Sequence, residues 1–127
     1  MELVEQREQG LYLVRAVEDH GIQVGDRHVR SSFLLTPSRV EEDFSAQGLD
    51  DFTPEIIATI LALEPAVVLV GTGPRQHLPA PALMAEFMRR GIGLETMDSR
   101  AAARTYNLLA SEGREVVVAF LLQSPTD

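Results

Sequence analysis

The chain has 127 residues, of which 45% are hydrophobic and 24% charged; that is enough for one compact domain burying roughly two-thirds of its unfolded surface, and too apolar for a disordered chain. It contains no cysteine, which excludes disulfides, thiolate catalysis, iron–sulfur ligation and thiolate zinc sites together. The net charge is −8, residues 1–64 holding 5 Arg against 13 acids and residues 65–127 holding 6 against 6, and bases scattered singly (Arg7, Arg15, Arg27, Arg39, Arg75) lack the clustered stripe that nucleic acid or an anionic membrane requires.

The opening Met1-Glu2-Leu3-Val4-Glu5 carries acids where a targeting segment carries bases, and no apolar run in the chain approaches the roughly 18 residues of a membrane span. A mature, cytoplasmic single domain over 1–127 is expected, with an ordered core of about 10–121. Residues 11–17, Leu-Tyr-Leu-Val-Arg-Ala-Val, read as a strand ending in the turn Glu18-Asp19-His20-Gly21. Ile22 and Val24 alternate with polar neighbours before Gly25-Asp26, and a further extended stretch runs from Val29 to Leu35, where Pro37 closes it. The first third is thus predicted to be an antiparallel meander. The acidic run Val40-Glu41-Glu42-Asp43-Phe44, with Asp50-Asp51 after it, reads as a solvated loop, the alternative being a docking surface for a basic partner. Residues 44–52 show no clean period and are expected to be loop.

From Thr53 the period changes. Thr53-Pro54 supplies a cap and a first-turn proline, Ile56, Ile57, Ile60 and Leu61 fall on one helical face, and Glu64-Pro65 ends the helix. Ala66-Val67-Val68-Leu69-Val70 is an uninterrupted apolar run, as expected for a strand buried on both faces. A tight loop, Gly71-Thr72-Gly73-Pro74, follows. Pro79 and Pro81 introduce a helix with Leu83, Met84, Phe87 and Met88 as its buried stripe, closed by Arg89-Arg90 and stopped by Gly91. A short strand, Gly91–Glu95, leads to a third helix capped by Asp98 or Ser99, with Ala102, Tyr106 and Leu109 inward; a last strand covers 116–121, and the tail from Gln123 to Asp127 is expected to fray. The alternation of helix and strand after Thr53 predicts parallel crossovers, and hence an α/β domain of three layers: a mixed central sheet with a parallel βαβαβ part and the N-terminal meander.

In such a sheet the ligand crevice lies beyond the carboxyl ends of the strands, where Gly71-Thr72-Gly73-Pro74-Arg75 and Met97-Asp98-Ser99 should meet. The glycines let backbone approach a ligand, Thr72 offers a hydroxyl, and the amides opening the helix after Asp98 suit an anion, with Arg75 or Arg100 supplying charge. The alternative is that the glycines only make a tight turn and Asp98 only a cap. The loop lacks the third glycine of a dinucleotide motif and the glycine-lysine ending of a triphosphate loop. His20, His28 and His77 show no paired spacing on a helix, no serine sits in a nucleophile elbow, and so no metal site, cofactor or catalytic residue is assigned. Glu95 is the best lone general base, with Arg104 and Arg114 as its expected consorts. Arg104-Thr105-Tyr106-Asn107 places three mediocre helix formers mid-helix. Either Arg104 and Asn107 face the crevice, or Thr105 and Asn107 bond neighbouring loops while Tyr106 fills core.

These strings together, Gly71-Thr72-Gly73, Gly91-Ile92, Glu95, Met97, Ala102, Thr105-Tyr106-Asn107 and Glu112-Gly113-Arg114, resemble a family of small single-domain α/β proteins. Its bacterial and archaeal members are mostly of unknown function, and its eukaryotic members are mitochondrial factors that assist assembly of respiratory complex I (NADH:ubiquinone oxidoreductase). The resemblance spans about residues 10–121, is most specific from Met97 to Arg114, and implies a three-layer fold with a mixed central sheet. Without a basic presequence the chain resembles the bacterial branch. The resemblance brings no catalytic residues, and Ala103 stands where several relatives carry a cysteine. It implies a non-enzymatic binding or assembly module whose partner is a respiratory-complex subunit or a second copy. The alternative is a small anionic-ligand binder or enzyme using the crevice.

Overall fold

The computed structural model describes residues 11–123; the opening acids and the tail beyond Gln123 lie outside them. Three short strands, β1 (Val14–Glu18), β2 (Gly21–Val24) and β3 (Arg27–Val29), form an antiparallel sheet in that order. The second sheet has the order β5-β4-β8-β6-β7, from β4 (Phe33–Thr36), β5 (Arg39–Glu41), β6 (Val67–Gly71), β7 (Gly93–Met97) and β8 (Val116–Phe120). Pairing is parallel between β6 and both β7 and β8, and antiparallel between β4 and both β8 and β5. The helices are α1 (Pro54–Leu61), α2 (Pro81–Met88) and α3 (Ser99–Ser111).

The pleat divides the core in two. Phe33, Leu35, Leu69, Val118 and Phe120 face the three-stranded sheet and α3, where they meet Ile22, Val24, Val29, Ala102 and Tyr106. Leu34, Val68, Val70, Val117 and Ala119 face the other way, onto Ile57 and Ile60 of α1, Leu83 and Phe87 of α2, and Phe44 and Phe52. The five-stranded sheet is therefore the middle of three layers, as the alternation of elements predicts. Phe33 and Phe120, directly opposite each other in the β4–β8 register, stack at 5.3 Å on the α3 side.

Four expectations need correction. The stretch from Val29 to Leu35 is not one strand: β3 ends at Val29, and β4 starts at Phe33 in the other sheet. Ser32 makes the transfer possible, because its buried hydroxyl accepts from Leu122 N (2.8 Å) and donates to Leu122 O (3.1 Å). The acidic run is not a plain solvated loop. Thr36 Oγ1 accepts from the amides of Ser38 and Arg39 (3.2 and 2.9 Å), which turns the chain at Pro37 into β5; Glu41 then pairs with Arg39, Glu42 pairs with Arg27, and Phe44 is buried edge-to-face against Phe52. Within 44–52, Leu49–Asp51 form a single 3-10 turn. In α2 only Leu83 and Phe87 are buried, and Met88 is 65% exposed; a helix of eight residues lying on the sheet by one narrow stripe has no second row to bury it.

The helix ends follow the expected chemistry. Thr53 Oγ1 accepts from Ile56 N and Asp98 Oδ1 from Ala101 N (3.3 and 2.9 Å), while Gly91 leaves α2 at φ 71° and Gly113 follows α3 at φ 80°, both in the left-handed region.

Candidate functional site

The loops that follow β6 and β7 meet, as the topology predicts. Thr72 N donates to Met97 O (2.9 Å), Ser99 N donates to Gly73 O (2.8 Å), and Gly73 N donates back to Ser99 Oγ (2.9 Å). Thr72 Oγ1 lies 2.6 Å from Arg75 O and 3.2 Å from Met97 O, either of which can take its single proton, and it accepts from His77 N (3.2 Å). Gly71 has to be glycine here, since a Cβ would lie 2.9 Å from Phe120 Cδ1, 3.1 Å from Ser99 Oγ and 3.2 Å from Ala102 Cβ. Gly73 turns at φ 93°.

This mutual bonding alters what the loops can do. Of the first four amides of α3, those of Ser99, Ala101 and Ala102 are already bonded to Gly73 O, Asp98 Oδ1 and Asp98 O. Ser99 is only 3% exposed. The helix start is therefore occupied by protein groups and does not present the anion cradle that Asp98 and Ser99 suggested. Gly71, Thr72, Gly73, Met97, Asp98 and Ser99 form a rigid platform.

Beside that platform, at the carboxyl ends of β6 and β8, opens a cleft of about 750 Å³. Thr72, Gly73, Pro74, Arg75 and His77 form one wall, Leu121 and Leu122 line it after β8, and His20, His28 and Arg30 reach it from the three-stranded sheet. Arg75 is thus where the crevice expectation put it. The histidines and Arg30 are an addition from the structure. Their separation along the chain carries no spacing signal; only the β2–β3 pairing, Ile22 opposite Val29 and Gln23 opposite His28, brings His20 and His28 to one end of the small sheet. His28 Nε2 lies 2.8 Å from Glu18 Oε1, and Arg30 donates Nε–H to His28 Nδ1 (3.1 Å). No group of three or more metal-ligating side chains converges among the described residues.

Glu95, Arg104 and Asn107 lie elsewhere. Glu95 sits exposed on the edge strand β7 in register with Leu69, and among the described residues neither Arg104 nor Arg114 forms an ion pair with it. Asn107 holds the backbone of β1: Val14 N donates to its Oδ1 and its Nδ2 donates to Val14 O, both at 2.9 Å. Tyr106 donates its hydroxyl to Tyr12 O (2.7 Å), and burial pushes its phenol well above the usual range. Of the two readings of this string, the geometry realises the one in which Tyr106 fills core and Asn107 bonds a neighbouring segment. Arg104 faces outward with Arg15 and Arg100 around a groove of about 320 Å³ between β1 and α3. All three are exposed, and none makes an ion pair among the described residues.

A second cleft, of about 460 Å³, lies at the opposite end of the sheet beside Pro37, Glu64, Arg114 and Glu115. It holds Arg114, the other expected consort of Glu95, and none of the residues expected in the crevice.

A family model described as "Protein of unknown function (DUF498/DUF598)" matches residues 14–121. The chain belongs to that family. Among relatives of this DUF498/DUF598 protein is the bovine (Bos taurus) protein named NADH dehydrogenase [ubiquinone] 1 alpha subcomplex assembly factor 3, 32% identical over 94% of this chain and 66% of that one. A Francisella tularensis protein named 13 kDa major membrane protein is 40% identical over 45% of this chain and 46% of its own. The chain thus spans less than two-thirds of the length of these two relatives. Among solved structures, a Xanthomonas campestris protein superposes with a TM-score of 0.82 at 40% identity, covering 91% of this chain and 88% of that one. A Bordetella pertussis protein described as a Mth938-like domain superposes with a TM-score of 0.76 at 31% identity, covering 92% and 89%. The family resemblance and the α/β architecture are both borne out. Among the described residues no helix is long and apolar enough to cross a membrane.

Proposed function

We propose that this protein is a non-enzymatic binding module that holds an acidic protein partner during assembly of a larger complex, a respiratory-complex subunit being the class its assembly-factor relatives suggest. The observation that carries this reading is the groove between β1 and α3. Arg15, Arg100 and Arg104 converge there with no acid on its lining, in a chain whose net charge is −8. In a protein with nearly two acids for each base, arginines have carboxylates within reach, and Arg27, Arg39, Arg89 and Arg90 pair with them. Three guanidiniums left together offer bidentate bonds to carboxylates supplied from outside. The platform of Gly71–Ser99 contacts supports this surface, since Asp98 and Ser99 fix the start of the helix that carries Arg100 and Arg104.

The test is recovery of respiratory complex I subunits with the tagged protein from its own host, repeated with Arg15→Glu and Arg104→Glu. Loss of recovery in both variants, with unchanged far-ultraviolet circular dichroism, is the expected result. Undiminished recovery sinks the proposed surface. A concentration-dependent dimer that dissociates in the same variants identifies the partner as a second copy, and the cytoplasmic location that belongs to this proposal is read by fractionating the same host cells.

A further inference from the structure

The cleft at the ends of β6 and β8 stands at the switch point of the sheet. From β6 the chain passes through α2, on one face, to β7; from β7 it returns through α3, on the other face, to β8 on the far side of β6. Connections therefore part in opposite directions between β6 and β8, and open α/β sheets hold their ligands just outside the strand ends at such a point. The cleft of about 750 Å³ lies there, and its volume is within the range of small-molecule sites.

Its lining is cationic over an apolar floor. Arg75 is exposed on one side, with no ion pair among the described residues. Arg30 stands on the other. Because Arg30 donates Nε–H to His28 Nδ1, that nitrogen must accept; the ring proton is then on Nε2, where it is donated to Glu18. Glu18 is in this way satisfied by an imidazole, and the charge of Arg30 is met by a neutral acceptor rather than a carboxylate. Asp19 is the acid on the lining, against two guanidiniums. Buried Leu121 and half-buried Leu122 make the floor, and Pro74 stands at its lip.

We propose that this cleft binds a small organic oxyanion, its charged end between Arg30 and Arg75 and its apolar body against Leu121 and Leu122. Both guanidiniums suit the forked geometry of a carboxylate or phosphate, and the apolar floor favours an organic anion over an inorganic one. The site is separate from the Arg15–Arg104 groove, so it stands or falls independently of the partner-binding surface.

The experiment is titration of the isotope-labelled protein with benzoate, phenyl phosphate and inorganic phosphate, each to roughly 10 mM, followed by amide NMR shifts. The expected result is a saturable shift of the Gly73, Arg75 and Leu122 amides by benzoate or phenyl phosphate. Inorganic phosphate should bind about fivefold more weakly than the better organic probe. Arg75→Gln and Arg30→Gln should each weaken binding roughly tenfold while leaving the remaining spectrum in place, and Arg104→Gln should not weaken it. Absence of saturable shifts with all three probes overturns the proposal. Shifts centred on Arg15, Arg100 and Arg104, or equal weakening by Arg75→Gln and Arg104→Gln, do so as well.

Discussion

Asn107 serves Val14 as a substitute strand partner: its carboxamide accepts from Val14 N and donates to Val14 O, both at 2.9 Å. β1 is an edge strand of the small sheet, and its pairing with β2 slips between Val14 and Ala16. A single side chain on α3 thus closes the edge at the point where the ladder is irregular, and ties the three-stranded sheet to the helix. Asn107→Ala leaves both Val14 groups without this partner and should cost about 2 kcal/mol. In thermal unfolding that is a fall of roughly 8 °C. Asn107→Asp, which keeps the acceptor but sets a carboxylate oxygen against Val14 O, should be at least as damaging. A melting temperature unchanged in both variants removes this role from Asn107.

The same residue shows where local sequence stops determining the fold and tertiary contacts take over. Thr105-Tyr106-Asn107 stand out because local propensity argues against them, and the packing that justifies them is a tertiary bond to β1 and to Tyr12. From Thr53 onward each element carries its own punctuation, a cap, a proline or a glycine, beside one clear period, so helices and parallel strands are legible there. β5 is not, since Arg39-Val40-Glu41 has one apolar residue and becomes a strand only because Thr36 turns the chain back along β4. The break at Ser32 is likewise decided by Leu122, ninety positions away. The cleft was legible by half: Thr72 to Arg75 follow from the strand-to-helix loop, whereas His20, His28 and Arg30 arrive by the pairing of a separate sheet.

Gly71→Ala tests how closely β6, β8 and α3 approach. The added methyl meets the Phe120 ring at 2.9 Å and Ala102 Cβ at 3.2 Å, and Phe120 is itself fully buried against Phe33, so it has little room to yield. A loss of about 2–3 kcal/mol in chemical denaturation is expected. Gly48→Ala is the control, because a Cβ there meets nothing within 4 Å and φ is −153°. Equal stability of the two variants contradicts the packing described for Gly71.

Ser32 links stability to the cleft. Its buried hydroxyl satisfies both backbone groups of Leu122, a residue of the cleft lining. Ser32→Ala should cost about 2 kcal/mol and speed hydrogen exchange at the Leu122 amide relative to Val118 on β8. An unchanged exchange rate at Leu122 shows that its amide is held by something other than Ser32.

Tyr106 makes stability depend on alkaline pH in a direction that can be worked out. Its phenol is desolvated and donates to Tyr12 O, so the folded state holds the proton to a higher pH than the unfolded chain, where tyrosine titrates near pH 10. Below about pH 10 both states are protonated and the group adds no slope. Above it the unfolded state loses the proton first, binds fewer protons than the native state, and is favoured as pH rises, by up to about 1.4 kcal/mol per pH unit. Tyr106→Phe should lower stability near neutral pH by about 1 kcal/mol through the lost bond to Tyr12 O, and it should flatten the decline between roughly pH 10 and 12. Urea unfolding of both proteins across that interval measures the difference in slope; parallel curves would mean that another group carries the alkaline dependence.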